Sequence, residues 1–195
     1  MHHKLIIILV ATVLFCSSSI GQEHQTVLST PSEWKTEIIP FPLGFAREID
    51  LVGFEDLRFA PNWSDATSPN FWTYTFVWYV DKGAPMTEER LTGYFNAYYD
   101  GLMGVTVKDK EGNEIDNGLD KTLCLFVKTN DGFSGKMRVY DKFFSKEYMT
   151  LNIKVTESFC PKTNKQIVSC NISPQPFDNT VWKLFEEVML IVTCE

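Results

Sequence analysis

The segment Phe71-Trp-Thr-Tyr-Thr-Phe-Val-Trp-Tyr-Val80 decides the fold. Trp72, Tyr74, Phe76 and Trp78 fall on one side of an extended chain. Phe71, Thr73, Thr75, Val77 and Tyr79 fall on the other. Aromatic and β-branched residues in strict alternation specify a strand with both faces occupied, and Asp81-Lys82-Gly83 ends it. After it, Pro85 to Met103 predicts a helix. Thr87 can cap it, Glu88 and Glu89 suit its positive N-terminal end, Leu91, Phe95, Tyr98 and Leu102 recur at helical spacing with Tyr94 and Tyr99 beside them, and Gly104 can stop it.

Further strands follow: Val105 to Lys108, Leu123 to Lys128, Lys136 to Phe143, Tyr148 to Thr156 and Ile167 to Ile172. Leu123 to Lys128 is apolar on both faces, as a central strand would be. Tyr148 to Thr156 alternates most cleanly, with Met149, Leu151, Ile153 and Val155 facing inward. Val181, Leu184, Phe185, Val188 and Val192 predict a C-terminal helix capped by Asp178 or Asn179. Short links between strands imply antiparallel pairing, because a parallel crossover needs a dozen residues or more. The expected class is α+β, a single domain over residues 36–195 in which two helices, one mid-chain and one C-terminal, pack a curved antiparallel sheet.

Upstream, the chain opens with three distinct regions. His2, His3 and Lys4 precede an apolar run from Leu5 to Phe15, and a small, polar stretch runs from Cys16 to Gly21. This is the layout of a secretory signal, with cleavage expected after Gly21. The run is too short to span a bilayer as a helix, which takes about 20 residues. Residues 22–35 are polar and broken by Ser29, Thr30, Pro31 and Ser32, and read as a loose tail. The expected location is the periplasm or the extracellular space. A net charge of −7 without a basic cluster argues against nucleic acid, and no apolar stretch after the signal is long enough to cross a membrane.

Export would leave Cys124, Cys160, Cys170 and Cys194, an even count that suggests two disulfides. Cys160 and Cys170 bracket a loop with Pro and Asn at its turn, so the expected pairs are Cys160–Cys170 and Cys124–Cys194. None of the spacings is C-x-x-C, which makes zinc and redox-motif readings weak.

Histidine is confined to His2, His3 and His24. A domain starting at residue 36 therefore has none, which removes Ser-His-Asp and Cys-His nucleophile systems and histidine-ligated metals. No cofactor and no metal is expected. Gly132-Phe133-Ser134-Gly135 lacks nucleophile-elbow spacing and reads as a turn. Asp109 to Asp120 is acidic, but an EF-hand starting at Asp109 needs glycine where Glu114 stands.

One segment stands apart. In Gly53 to Trp63, Glu55, Asp56 and Arg58 lie among Phe54, Leu57, Phe59 and Trp63. Charges seldom sit among bulky apolar residues unpaired. Two readings follow: an Arg–carboxylate bridge pinning a loop to the sheet, or a polar site at the edge of an aromatic cleft. The candidate ligand-binding residues are Glu55, Asp56, Arg58, Trp63, Trp72, Tyr74, Trp78, Tyr94 and Tyr98, with Trp72 expected to be the accessible ring. The expected role is non-enzymatic binding of a small ligand, glycan or protein partner. The alternative is a hydrolase using carboxylates alone, with Glu55 and either Asp56 or Asp100 about 5–10 Å apart across an open cleft.

The motifs Pro40-Phe41-Pro42-Leu43-Gly44-Phe45-Ala46, Gly53-x-Glu55-Asp56-x-Arg58-Phe59-Ala60-Pro61-x-Trp63 and Trp72-x-Tyr74-x-Phe76-x-Trp78 resemble those of a family of uncharacterised exported bacterial proteins. The Tyr94-Phe95 to Gly101-Leu102-Met103 helix and Cys160-Pro161 agree with it. The resemblance implies export and a bacterial origin, and no catalytic residues. More loosely, a long antiparallel sheet closed by a C-terminal helix is similar to the Mog1/PsbP-like fold, an analogy that carries no function.

Overall fold

The computed structural model describes residues 26–105, 107–108, 110–115 and 117–194. The expected signal, Cys16 and all three histidines lie outside the described residues. The elements are β1 (Leu28–Ser29), β2 (Lys35–Pro40), β3 (Gly53–Phe59), β4 (Tyr74–Asp81), α1 (Glu88–Met103), β5 (Val107–Lys108), β6 (Glu114–Ile115), β7 (Leu123–Thr129), β8 (Gly132–Tyr140), β9 (Tyr148–Cys160), β10 (Lys165–Ser173), a 3-10 helix (Thr180–Glu187) and β11 (Met189–Leu190). The class is α+β. Seven strands form one open sheet in the order β2-β3-β4-β10-β9-β8-β7, each antiparallel to its neighbours.

The alternating aromatic segment becomes β4, near the middle of the sheet, but Phe71 and Trp72 lie in the turn before it, with Trp72 in a left-handed conformation that no strand residue adopts. The strand starts only at Tyr74. Its Tyr74, Phe76, Trp78 and Val80 enter the main core with Leu91, Phe95 and Tyr99 of α1. Val77 and Tyr79 enter a smaller core on the other face, with Val27, Leu28, Cys160 and Ile167. The helix starts where its cap predicts. The Thr87 side chain accepts the N–H of Arg90 at 3.2 Å, and Gly104 closes the helix at φ +67°. At Gly101 the loop carrying Phe45 crosses so closely that a β-carbon would stand 1.8 Å from the Phe45 carbonyl oxygen, so only glycine fits there.

Several further expectations need correction. Leu123 to Lys128 is an edge strand, not a central one. Leu123, Leu125 and Val127 are exposed, and only Cys124 and Phe126 face the core. An apolar run reports strand propensity, whereas position in the sheet depends on which partners the rest of the chain supplies. Gly132 to Ser134 opens β8 rather than forming a turn, because the reversal is already complete at Thr129↔Gly132.

The C-terminal helix is a short 3-10 helix capped by Asn179. Its Val181, Trp182 and Phe185 pack with Trp34 and Ala60, and the chain then extends as β11 to pair with β1. That pairing also corrects the loose tail. From Thr26 onward the segment is packed, with Val27, Leu28 and Trp34 buried.

The disulfide joins Cys160 to Cys194, while Cys124 and Cys170 are buried free thiols. The register of the β9–β10 hairpin forbids the expected pair. Cys160 stands opposite Lys165, whereas Cys170 stands opposite Val155, five rungs or about 17 Å further along. The two cysteines also belong to cores on opposite faces of the sheet.

Candidate functional site

At the β2–β3–β4 end of the sheet the main core is not filled. A cavity of about 540 Å³ lies between the sheet, the C-terminal half of α1 and the loop after β8. The sheet supplies Glu37 and Ile39 from β2, Leu57 and Phe59 from β3, and Tyr74 from β4. The helix adds Tyr98 and Leu102, and Phe45, Trp63, Trp72, Phe143 and Phe144 come from loops. Eight of these twelve residues carry aromatic rings. The volume is in the range of small-molecule sites.

The ring arrangement follows from the backbone. Phe59 stacks on Trp63 with centroids 4.3 Å apart. Trp63 meets Phe144 edge-on at 5.2 Å and Trp72 at 6.3 Å. Trp72 has φ +54°, a left-handed conformation that a bulky residue rarely adopts. It is held there by its N–H donating to the Trp63 carbonyl at 2.8 Å and by the Ala60 N–H donating to the next carbonyl, that of Thr73, at 3.1 Å. Such strain concentrates at ligand clamps and other functional positions. The indole N–H groups of Trp63 and Trp72 are buried without a hydrogen-bond partner.

Asp141 holds the remaining wall. Its Oδ1 accepts the N–H groups of Phe143 at 2.9 Å and Phe144 at 3.1 Å. Its Oδ2 accepts the N–H of Ser145 at 2.7 Å and its hydroxyl at 2.8 Å. Burial opposes ionisation of this carboxyl, but the four donors prevail and hold it below the usual carboxylate range.

Behind the cavity lies Glu55, fully buried on β3. The Tyr98 hydroxyl donates to its Oε2 at 3.0 Å and the Trp78 indole to its Oε1 at 3.2 Å. Burial pushes its carboxyl up to about 8, against those two hydrogen bonds. It is therefore mostly protonated at neutral pH. Tyr74 and Tyr99 share a hydroxyl–hydroxyl contact beside it.

The nine sequence-based candidates divide. Trp63, Trp72, Tyr74 and Tyr98 line the cavity, Glu55 stands one hydrogen bond behind Tyr98, and Trp78 stands one further, donating to Glu55. Trp72 lines the cavity yet is buried, which corrects the expectation of an accessible ring. Tyr94 sits elsewhere on α1, bonded to Asp50 and receiving the Arg90 Nε–H at 2.9 Å.

Asp56 and Arg58 do not belong to this site. Side chains alternate along a strand, so they point to the opposite face from Glu55, Leu57 and Phe59. There they form a buried ion pair. Asp56 Oδ2 accepts the N–H groups of Val27 at 2.8 Å and Leu28 at 3.1 Å, and Arg58 Nη2 donates to the Leu28 carbonyl at 2.8 Å. The bridge pins the N-terminal segment to the sheet.

A two-carboxylate hydrolytic arrangement is absent from these residues. Glu55 and Asp56 lie on opposite faces, and Asp100, two residues past Tyr98 on the helix, is turned toward β7, where it accepts the Thr122 N–H at 2.6 Å. Among the described residues no group of three or more His, Cys, Asp or Glu is placed to hold a metal ion, and no helix is long and apolar enough to cross a membrane.

Sequence reading missed Glu37, Ile39, Phe45, Leu57, Phe59, Leu102, Phe143 and Phe144 as cavity residues. Phe45 and Phe59 stood within the quoted motifs, and Phe143-Phe144 is a pair of rings between charged and polar neighbours. Glu37 gave no signal. Comparison with family models, with curated proteins and with solved structures finds no match to this chain.

Proposed function

We propose that this chain is an exported, non-enzymatic binding protein that takes a small, flat, largely apolar ligand in the aromatic cavity. The observation that carries the reading is the cavity wall itself. Eight rings border about 540 Å³ of space beside the main core. Rings give flat apolar surfaces for stacking. A well-packed domain leaves few voids larger than a water molecule, and the strained Trp72 backbone supports a functional reason for this one.

Export rests on the three-part leader over residues 1–21 and on the Cys160–Cys194 disulfide, since such bonds persist mainly in oxidising compartments. The resemblance to exported bacterial proteins agrees with this, and the long antiparallel sheet supports a Mog1/PsbP-like architecture, which implies no function.

Titration with N-phenyl-1-naphthylamine, a neutral probe whose emission rises in apolar surroundings, tests the reading. Wild-type protein is expected to bind it saturably with one site, and Ile39→Trp, which fills the cavity from β2, to lose that binding while melting at a similar temperature. Absence of saturable binding, or equal binding by the filled variant, overturns the proposal.

A further inference from the structure

The cavity has one charged residue in its wall, and that charge is negative. Glu37 lies on the edge strand β2 opposite Leu57 and on the same face, so its carboxylate stands at the mouth of the space that Leu57 lines. No lysine or arginine contributes to the lining, and Glu37 has no ion-pair partner among the described residues. The other walls are mostly ring faces and edges. An aromatic ring carries negative charge on its face, so a cavity of several rings attracts cations even without a carboxylate. Here the rings of Phe59, Trp63, Trp72, Tyr74 and Tyr98 converge on one space, with Glu37 at its rim.

We propose that the cavity selects an organic cation, a substituted ammonium group on an apolar body, by holding its charge against the ring faces and the Glu37 carboxylate. The inference rests on the binding role proposed above and adds the ligand's chemical class. Ammonium groups bearing alkyl substituents suit such a site better than a bare ammonium, because they are more weakly hydrated and lose less on leaving water. An anionic ligand would face Glu37 with no cation in the lining to offset it. A neutral one would fill the space without engaging Glu37, whose exposed carboxylate would stay in water.

The rest of the main core does not share this character. Around Phe76, Phe95 and Phe126 the rings pack against one another and against Leu91, Met137 and Leu151. At the β2 end of this core, by contrast, rings and the Glu37 carboxylate border a common space.

The experiment compares benzyltrimethylammonium with neopentylbenzene, which has the same shape with a quaternary carbon in place of the charged nitrogen. Both are titrated by calorimetry and tryptophan fluorescence into the wild type, Glu37→Gln and Ile39→Trp. The cation is expected to bind the wild type about tenfold to thirtyfold more tightly than its isostere. Glu37→Gln is expected to lose most of that margin with the affinity for neopentylbenzene unchanged, and Ile39→Trp to lose both ligands. Equal affinities in the wild type overturn the cation inference and leave the binding role standing. A preference that survives Glu37→Gln intact removes Glu37 from the assignment, and one that survives Ile39→Trp moves the site out of this cavity. Failure of both compounds to bind at millimolar concentration overturns the inference and the binding role together.

Discussion

Asn96 of α1 accepts the backbone N–H of Cys124 on the edge strand β7, Oδ1 to N at 2.9 Å. It is one of a row. Asp100 accepts the N–H of Thr122 at 2.6 Å and Glu88 that of Lys128 at 3.2 Å. Residues 88, 96 and 100 are separated by multiples of four and so share one stripe of the helix. Residues 122, 124 and 128 share the side of β7 that no strand covers. The helix thus occupies donors that an exposed edge would offer to another chain. Asn96→Ala is expected to cost about 1 kcal/mol, the net worth of an ordinary hydrogen bond, and to promote self-association through β7, where Leu123, Leu125 and Val127 are already exposed. Thermal melts and analytical ultracentrifugation at rising concentration would check both. A variant that remains monomeric at every concentration would contradict the edge-protection argument.

The Asp56–Arg58 bridge makes a different kind of prediction, because it is fully enclosed. Arg58→Ala leaves a buried carboxylate without its cation, a change that costs about 3–5 kcal/mol. It also removes the donor to the Leu28 carbonyl, so the segment from Thr26 to Ser29 is expected to detach first. Limited proteolysis should cut there in the variant before the sheet unfolds. Cleavage elsewhere, or a melting temperature equal to that of the wild type, would count against the pinning role.

Glu55 ties stability to pH. Its carboxyl is raised from an ordinary value of 4.5 to about 8, chiefly by burial. Between those values the folded state holds a proton that the unfolded chain has lost, so stability falls as pH rises. The slope from this one group approaches about 1.4 kcal/mol per pH unit. Its contribution is fully present below about pH 4.5 and is lost as pH passes 8. Glu55→Gln, which cannot ionise, is expected to flatten the slope between about pH 5 and 8 in urea melts. An unchanged slope would place the titration elsewhere.

Asp141 links loop order to the cavity. Asp141→Ala removes the acceptor for three backbone N–H groups and one hydroxyl, and is expected to cost roughly 2–3 kcal/mol. Since Phe143 and Phe144 line the cavity, affinity for a neutral apolar probe should fall as well. The carboxyl is held below its ordinary value, so this part of the stability is present above that value and is lost as pH falls through the depressed range. If Asp141→Ala bound the probe as tightly as the wild type, Phe143 and Phe144 would not depend on this loop for their place in the wall.

The amino-acid sequence alone determined whatever depends on neighbours along the chain. Alternation at Tyr74 to Tyr79 specified a strand buried on both faces, Thr87 and Gly104 specified where α1 begins and ends, and short links specified antiparallel pairing. These are local matters, settled by period-two patterning and by which side chain can cap an open N–H. Four of the cavity residues, Trp63, Trp72, Tyr74 and Tyr98, were also legible, because aromatics that dense must either pack together or line something. Tertiary structure alone decided the rest. The parity of β3 sends Glu55 to one face and Asp56 and Arg58 to the other, so a single charged cluster in the sequence became a buried acid and a separate ion pair. Hairpin register set Cys160 and Cys170 about 17 Å apart and left Cys160 free to meet Cys194. Strand order made β7 an edge, and it brought Glu37, which carries no motif, over the mouth of the cavity. Each of these depends on contacts between residues distant in the chain, and a side chain's own identity carries no information about which of them it will meet.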